Sequence, residues 1–530
     1  MTTRRTLLAA AAAAATMPLL WHRAHAQTPR DTLVMAKRID DIISLDPGES
    51  FEYSGSEITG NIYEKLVTPG ADPTKIEPQL AETWSSSEDG RTWTFNLAAG
   101  RTFSSGNAVT AEDAAFSLQR AVILNKSPGF IIAQFGFTAE NARARIRATG
   151  LRTLVIEIAE RQAPTFLLYC LSAAVGGVVE KAVAMSHAVG DDLGNGWLKT
   201  NGAGSGPFML RTTRASELVA LDANPHYHEP LHLKRVLIRH TSDPAVQLLL
   251  VQKGDVDLVR DLLPEGVRAA RADPALAVLT APKASLMFIS MNTAHAPLAD
   301  NRVRDAIRWA IDYAAIEQNL VRDTFTVHQA FLPAGFPAAV TDTPYRYDPA
   351  RARALLAEAG FKDGLDLTFD HASSSPRAEI AQALQAQMRE AGIRLMLIAG
   401  EGRQVLTKVR ARKHQLAVSL WGSDYMDPHS NAQTFCVNDD NTDASRNRTS
   451  AWINTWVDPG ISARAMAAVR EADAAKRVAQ YERLQRDVMA QGPFAIMLQE
   501  VNIAALRYPA TGLKLGPISD RTLYAPISKG

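Results

Sequence analysis

The chain has 530 residues, 57 Lys and Arg against 56 Asp and Glu, 46% hydrophobic residues and two cysteines. That length holds roughly two to four domains' worth of core, and ordinary apolar content excludes bulk disorder. A formal charge of +1 gives no electrostatic footing for nucleic acid, and two cysteines exclude a disulfide scaffold and every multi-Cys zinc or iron–sulfur framework.

Residues 1–26 have the pattern of an export signal. Arg4 and Arg5 form a charged start, Leu7 to Ala15 is apolar, and Ala24-His25-Ala26 is the small-x-small pattern that a signal peptidase cuts. The paired arginines before an Ala-rich stretch are twin-arginine-like. The apolar run is too short for a membrane anchor, since about 20 residues are needed and Pro18, His22 and Arg23 interrupt it. Cleavage after Ala26 removes three Arg and no acid, so a faintly acidic, exported, periplasmic chain is expected. Cys170 and Cys436 are far apart in sequence, and two separately buried thiols are expected.

Further along, period-2 and helical segments alternate, which predicts mixed α/β domains. Thr92 to Leu97 alternates polar and apolar and predicts a strand after an Asp89-Gly90 turn. Thr110 caps a predicted helix running through Arg120, with Asp113 completing an approximate capping box. Asp300 to Tyr313 predicts one amphipathic helix with Val303, Ile307, Ala310 and Ile311 on its apolar face. Pro349 to Ala359 and Ile380 to Ala391 predict helices closed by Gly360 and Gly392, and Ile393 to Ile398 predicts a buried strand. Turn-rich stretches at Thr200–Pro207, Ala281–Ser285 and Gln491–Pro493 are candidate boundaries.

Enzyme motifs fare poorly. His228-Glu229-Pro230-Leu231-His232 matches H-E-x-x-H, whose zinc chemistry needs both histidines on one helical face. Pro230 in that interior costs about 3 kcal/mol, and Leu231 to Ile238 reads as strand. A zinc hydrolase built on His228, Glu229 and His232 is therefore disfavoured. Gly202 to Pro207 fits neither a phosphate loop nor a nucleophile elbow and reads as a tight turn feeding a strand.

Several segments together carry a resemblance. They are Leu80-Ala81-Glu82-Thr83-Trp84 with Asp89 to Leu97, Gly100 to Gly106 and Leu118-Gln119-Arg120. Next come Gly204-Ser205-Gly206-Pro207-Phe208, Asp300 to Arg304 with Ala310 to Tyr313, and Tyr347-Asp348-Pro349 to Gly360. The last is Trp421-Gly422-Ser423-Asp424-Tyr425-Met426-Asp427-Pro428. In this order they resemble the extracytoplasmic solute-binding proteins, family 5, the dipeptide/oligopeptide/nickel-binding proteins of ABC importers; Ala114 stands where that family usually has Val.

The resemblance implies a two-lobed α/β periplasmic-binding-protein fold of the large cluster C type, with an extra domain inserted in the first lobe. Residues 27–64, 205–286 and 500–530 would form lobe I, 65–204 the inserted domain and 287–499 lobe II. It also implies a monomer that captures a small peptide or peptide-like amine in an interlobe cleft and delivers it to membrane permease subunits, with no catalysis and no cofactor. Asp424 corresponds to the carboxylate that pairs with a ligand α-amino group, with Trp421 and Tyr425 packing on the ligand. His371, in a predicted loop Asp370-His371-Ala372-Ser373, stands where dipeptide-binding relatives carry an Arg. Neutral His lacks that bidentate fork, so Arg377 or Arg403 are alternatives. Tyr53, Ser54 and Gly55 fall in a loop that reaches the cleft in this family. Other ligand classes of the family are nickel chelates, for which His429 and His371 are possible contacts, opines, glutathione, haem and sugars; a chaperone-like or signalling receptor would use the same cleft.

Overall fold

Two long strands, Leu276–Met291 and Phe494–Arg507, organise the molecule. They pair antiparallel from Leu276 opposite Arg507 to Ser290 opposite Phe494, with register shifts between Pro282 and Leu286 and between Met287 and Phe288. The structure is a computed structural model that describes residues 28–72, 75–445 and 447–530. The expected signal segment and its cleavage site after Ala26 lie outside the described residues.

An eleven-stranded sheet grows outward from this pair. On one side lie Leu416–Gly422, Leu365–Ala372 and Ile393–Gly400; on the other lie Leu258–Val259, Thr32–Lys37, Arg235–His240, Leu218–Ala223 and Phe208–Arg214. Phe325–Val327 adds to Phe494–Arg507. Each side has parallel pairs. Leu365–Ala372 runs parallel to Ile393–Gly400 with helix Arg377–Glu390 between them in sequence, the crossover that parallel pairing requires. The sheet halves bury separate cores, one around Leu33, Val236 and Leu506, the other around Ile289, Phe369 and Leu384. This is a mixed α/β, two-lobed architecture.

A four-stranded antiparallel sheet stands apart, in the order Ala81–Ser86, Thr92–Leu97, Thr153–Glu157, Ile146–Ala148. Its Trp93, Phe95 and Leu97 point into a core completed by helix Ala111–Leu124 and by Phe166. Thr110 and Asp113 form the full reciprocal capping box, which satisfies two of the otherwise orphaned first-turn amides.

Several expectations need correction. Asp300 to Tyr313 is not one helix: Asn301–Trp309 ends, and Tyr313–Asn319 restarts because the Asp312 carboxylate accepts from the Ala315 amide. Val303, Ile307, Ala310 and Ile311 are nonetheless all buried. Ile393–Gly400 is an edge strand with alternating exposure, Met396 being 60% exposed, because it pairs on one side only. Ala281–Ser285 is not a turn but the register break inside Leu276–Met291. The Gly202–Pro207 turn is as expected: Gly204 and Gly206 lie against the backbone of Ile62, where a Cβ on Gly204 would approach the Ile62 carbonyl oxygen to 2.2 Å. Cys170 and Cys436 are both buried and free.

Candidate ligand-binding cleft

The segment Trp421–Pro428 leaves strand Leu416–Gly422 and enters helix His429–Cys436. Its shape is fixed from several sides. The Ser423 amide donates to the Ala284 carbonyl (2.9 Å), and the Asp424 amide donates to Ser430 Oγ (3.0 Å). Asp427, fully buried, accepts from the His429 amide (2.8 Å) and from both Arg477 nitrogens (2.9 and 2.7 Å). That bidentate pair is desolvated, so it holds the loop in one geometry.

Thus held, the loop turns Asp424 into a cavity of about 230 Å³ between the lobes. Phe51 and Tyr53 line it from the segment that opens helix Tyr53–Ile62, Ile131 and Val175 from the four-stranded unit, and Ile518 from the C-terminal segment. Among the described residues nothing donates to the Asp424 carboxylate, and burial alone pushes its pKa up to about 7. Trp421 lines the same cavity with a buried indole Nε1–H that has no acceptor, and the buried Ser50 Oγ, also on the wall, has no partner. Buried polar groups are normally satisfied, so this cluster marks a place built for something else to complete.

A larger cavity of about 840 Å³ adjoins it, sharing Tyr53, Pro517, Ile518 and Ser519 as walls. Its most buried charges are paired with one another. Glu57 accepts from Lys37 (2.6 Å), Arg260 (2.8 Å) and the Tyr524 hydroxyl (2.6 Å). Burial would raise the Glu57 carboxyl, but Arg260 and Lys37 overcome it and hold the pKa at about 2. Lys283, at the register break, pairs with Glu500 (2.6 Å).

The remaining expected site residues separate. Tyr53 opens helix Tyr53–Ile62 and stands between the two cavities, with the Lys283 ammonium 4.7 Å from its ring centroid. Ser54 is buried on the larger cavity, its amide donating to Asp41 (3.0 Å) and its hydroxyl to the Arg38 carbonyl (3.1 Å), which anchors the helix start. Gly55 lines neither cavity; a Cβ there would meet Ser50 Oγ at 2.5 Å. Tyr425 turns away from Asp424: it is 1% exposed in the core of the four-stranded unit, 6.1 Å from the Phe166 ring. An aromatic side chain next to an apolar core gains more from that burial than from a polar cavity. His371 lies in strand Leu365–Ala372 rather than a loop, is 4% exposed, shares its Nδ1 with the Ala372 carbonyl (3.0 Å), and is not among the wall residues of either cavity. His429 is buried against Phe166, and burial lowers its pKa to about 4, so its ring is neutral. Arg403 lies on the larger cavity and is exposed, while Arg377 is half-buried near Glu500.

Sequence reasoning did not single out Asp427 and Arg477, or Lys283 and Glu500. Asp427 was visible inside the W-x-x-D-Y-x-D-P pattern; Arg477, 50 residues on, carried no local signal. The His228–His232 segment is irregular, not helical, and His228 Nδ1 lies 3.9 Å from Glu64. Among the described residues no group of three or more His, Cys, Asp and Glu is placed to hold a metal ion.

Residues 75–443 match the family model of the bacterial extracellular solute-binding proteins, family 5 (its middle region). The chain belongs to that family. This family-5 protein is 26% identical over 525 residues to a probable D,D-dipeptide-binding periplasmic protein of Escherichia coli K12, covering 98% of this chain and 97% of the relative. Among solved structures it is similar to a Helicobacter pylori ABC transporter-associated periplasmic binding protein in complex with the peptide STSA (TM-score 0.77, 23% identity, 94% and 98% of the two chains). A dipeptide-binding protein of Pseudoalteromonas sp. SM9913, in complex with Met-Leu, is similar at TM-score 0.77 and 19% identity over 94% and 100%. In this family-5 protein the matched region contains the Asp424 loop, while Tyr53 and the strand Phe494–Arg507 lie outside it.

Proposed function

We propose that this family-5 protein captures a small peptide or peptide-like amine between its lobes, with the ligand ammonium on Asp424, and hands it to the permease of an ABC importer without chemical change. One observation carries the reading: a carboxylate in an interlobe cavity with no cationic partner among the described residues, its pKa raised to about 7 by burial alone. An unpaired buried charge is costly, and a ligand ammonium removes that cost with a charge-assisted hydrogen bond. The carboxylate therefore discriminates for a free amine. The Trp421 indole N–H and the Ser50 hydroxyl supply donors or acceptors for the ligand backbone beside it. The names and bound peptides of the relatives support the same class.

Under this reading the chain is exported to the periplasm by a signal cleaved after Ala26 and acts as a monomer. Residues 27–64, 205–286 and 500–530 form one lobe, 287–499 the other, and 65–204 the inserted domain. No helix among the described residues is long and apolar enough to cross a membrane, in keeping with a carrier that meets its permease from outside the bilayer. Closure pivots on the paired long strands, where the register break at Pro282–Leu286 interrupts the ladder.

The test is calorimetric titration of the purified protein with Met-Leu and with N-acetyl-Met-Leu. The dipeptide is expected to bind and to raise the melting temperature; at ~100 times its Kd, binding adds ~2.7 kcal/mol of stability. The acetylated form is expected to bind at least ~100-fold more weakly. Equal binding of the two would remove the ammonium from Asp424.

A further inference from the structure

The two cavities share a wall made of Tyr53 and of Pro517, Ile518 and Ser519. Tyr53 belongs to the first lobe, yet its hydroxyl reaches the second-lobe strand at Gly422, where a Cβ would come within 2.1 Å of it. On its other side the ring carries the Lys283 ammonium at 4.7 Å, and Lys283 is itself tied to Glu500 at 2.6 Å. The tyrosine is 45% exposed although its hydroxyl abuts Gly422 and Lys283 sits over its ring, because it looks into a cavity on either side. On the smaller side Asp424, Trp421 Nε1 and Ser50 Oγ have no partner among the described residues; on the larger side Asp41 Oδ1 and Thr522 Oγ1 also lack one, but the Glu57 and Lys283 charges are satisfied.

We propose that Tyr53 is a length gate, bounding the Asp424 compartment at about the size of a dipeptide and separating it from the larger one. This rests on the amine-binding reading above. A ligand anchored by its ammonium at Asp424 and extended past two residues meets the Tyr53 ring before it reaches open space. Gly422 is part of the device, since only a residue without a Cβ lets the hydroxyl seat. The gate is complete only when the lobes are together, because Tyr53 and Gly422 come from opposite lobes. Removal of the ring would merge about 230 Å³ with about 840 Å³ and admit longer chains at the same ammonium anchor.

The experiment titrates Met-Leu and the tetrapeptide Ser-Thr-Ser-Ala into the wild-type protein, Tyr53→Ala, Tyr53→Leu and Tyr53→Phe, with circular dichroism confirming that each is folded. Wild type and Tyr53→Phe, which keep the ring, are expected to favour Met-Leu by at least ~30-fold. Tyr53→Ala and Tyr53→Leu are expected to bring the two peptides within ~3-fold, mainly by gaining affinity for the tetrapeptide. A wild-type protein that binds both equally, or a preference unchanged in Tyr53→Ala and Tyr53→Leu, overturns the gate. N-acetyl-Met-Leu is the separate control: if it binds as well as Met-Leu, the Asp424 reading fails, while the length ratio still judges the gate. If neither peptide binds wild type, both proposals fall together.

Discussion

The two neighbouring cavities differ less in size than in the state of their charges. The larger one is lined by many ionic groups, yet its buried carboxylate, Glu57, already has two cations and a tyrosine hydroxyl. Among the described residues, the smaller one holds the Asp424 carboxylate with no partner, an indole N–H with no acceptor and a serine hydroxyl with none, while its other carboxylate, Asp520, is paired with Lys65. The larger one also keeps Asp41 Oδ1 and Thr522 Oγ1 without partners, so what sets the smaller one apart is the Asp424 carboxylate, raised by burial with no cation beside it among the described residues. A satisfied network contributes rigidity, whereas an unsatisfied cluster is free to spend its interactions on a ligand. The same contrast recurs within one loop: Asp427 is paired with Arg477 and holds the backbone, while Asp424, three residues earlier, is left unpaired.

This comparison is open to direct attack. Glu57→Gln leaves Lys37 and Arg260 buried against a neutral amide and is expected to destabilise the fold by about 3–5 kcal/mol in denaturant titration, with Met-Leu affinity of the folded protein within ~3-fold of wild type. A large affinity loss there would place the ligand in the wrong cavity. Asp424→Asn is expected to do the reverse, weakening Met-Leu by ~100–1000-fold in calorimetry. Because burial raises the folded-state pKa of Asp424 above its ordinary 3.8 to about 7, the group favours the fold in its neutral form. That stability is full below about pH 4 and is lost as pH rises through 7. The unliganded Asp424→Asn protein should therefore melt higher than wild type at pH 8, and the difference should vanish by pH 4.

Ligand binding has the opposite pH sign, since an ammonium favours the ionised carboxylate. Affinity for Met-Leu is expected to fall as pH drops below 7, by ~10-fold per unit and ~100-fold by pH 5, with proton release on binding measurable from buffer-dependent heats. Asp424→Asn should flatten this profile. Gly422→Ala would force the Tyr53 hydroxyl away from its seat, and a ~10-fold loss of Met-Leu affinity is expected through poorer closure. The smallest effect is expected for Arg403→Ala, an exposed cation on the larger cavity: less than ~2-fold, checked in the same titrations.

Local signals in the sequence were legible wherever they rest on nearest neighbours. The Thr110 capping box, the alternating Thr92–Leu97 strand and the helix stops at Gly360 and Gly392 all depend on residues within a few positions. The irregular His228–His232 segment follows from Pro230 in the same way. The split after Trp309 was missed because Asp312 competes locally as a cap within an otherwise unbroken apolar face. The apolar run Ile393–Ile398 predicts a buried strand because such a run cannot reveal whether it has one sheet neighbour or two.

At the candidate site the sequence marked the loop but not the direction of its side chains. Trp421 and Asp424 reach the cavity; Tyr425, adjacent to Asp424, is drawn into another core, and His371 is consumed by its own strand.

What the sequence determined by itself was the family, the α/β alternation, and the presence of an acidic loop between a strand and a helix. Those follow from short-range patterning and from motifs that stay in order along the chain. Only the tertiary structure decided which acid is paired and which is not, because Arg477 reaches Asp427 from a helix 50 residues away and none of the described residues donates to the Asp424 carboxylate. It alone also put Tyr53 against Gly422, a contact between positions more than 350 residues apart. Charge satisfaction depends on distances across the fold, and a linear pattern does not carry them.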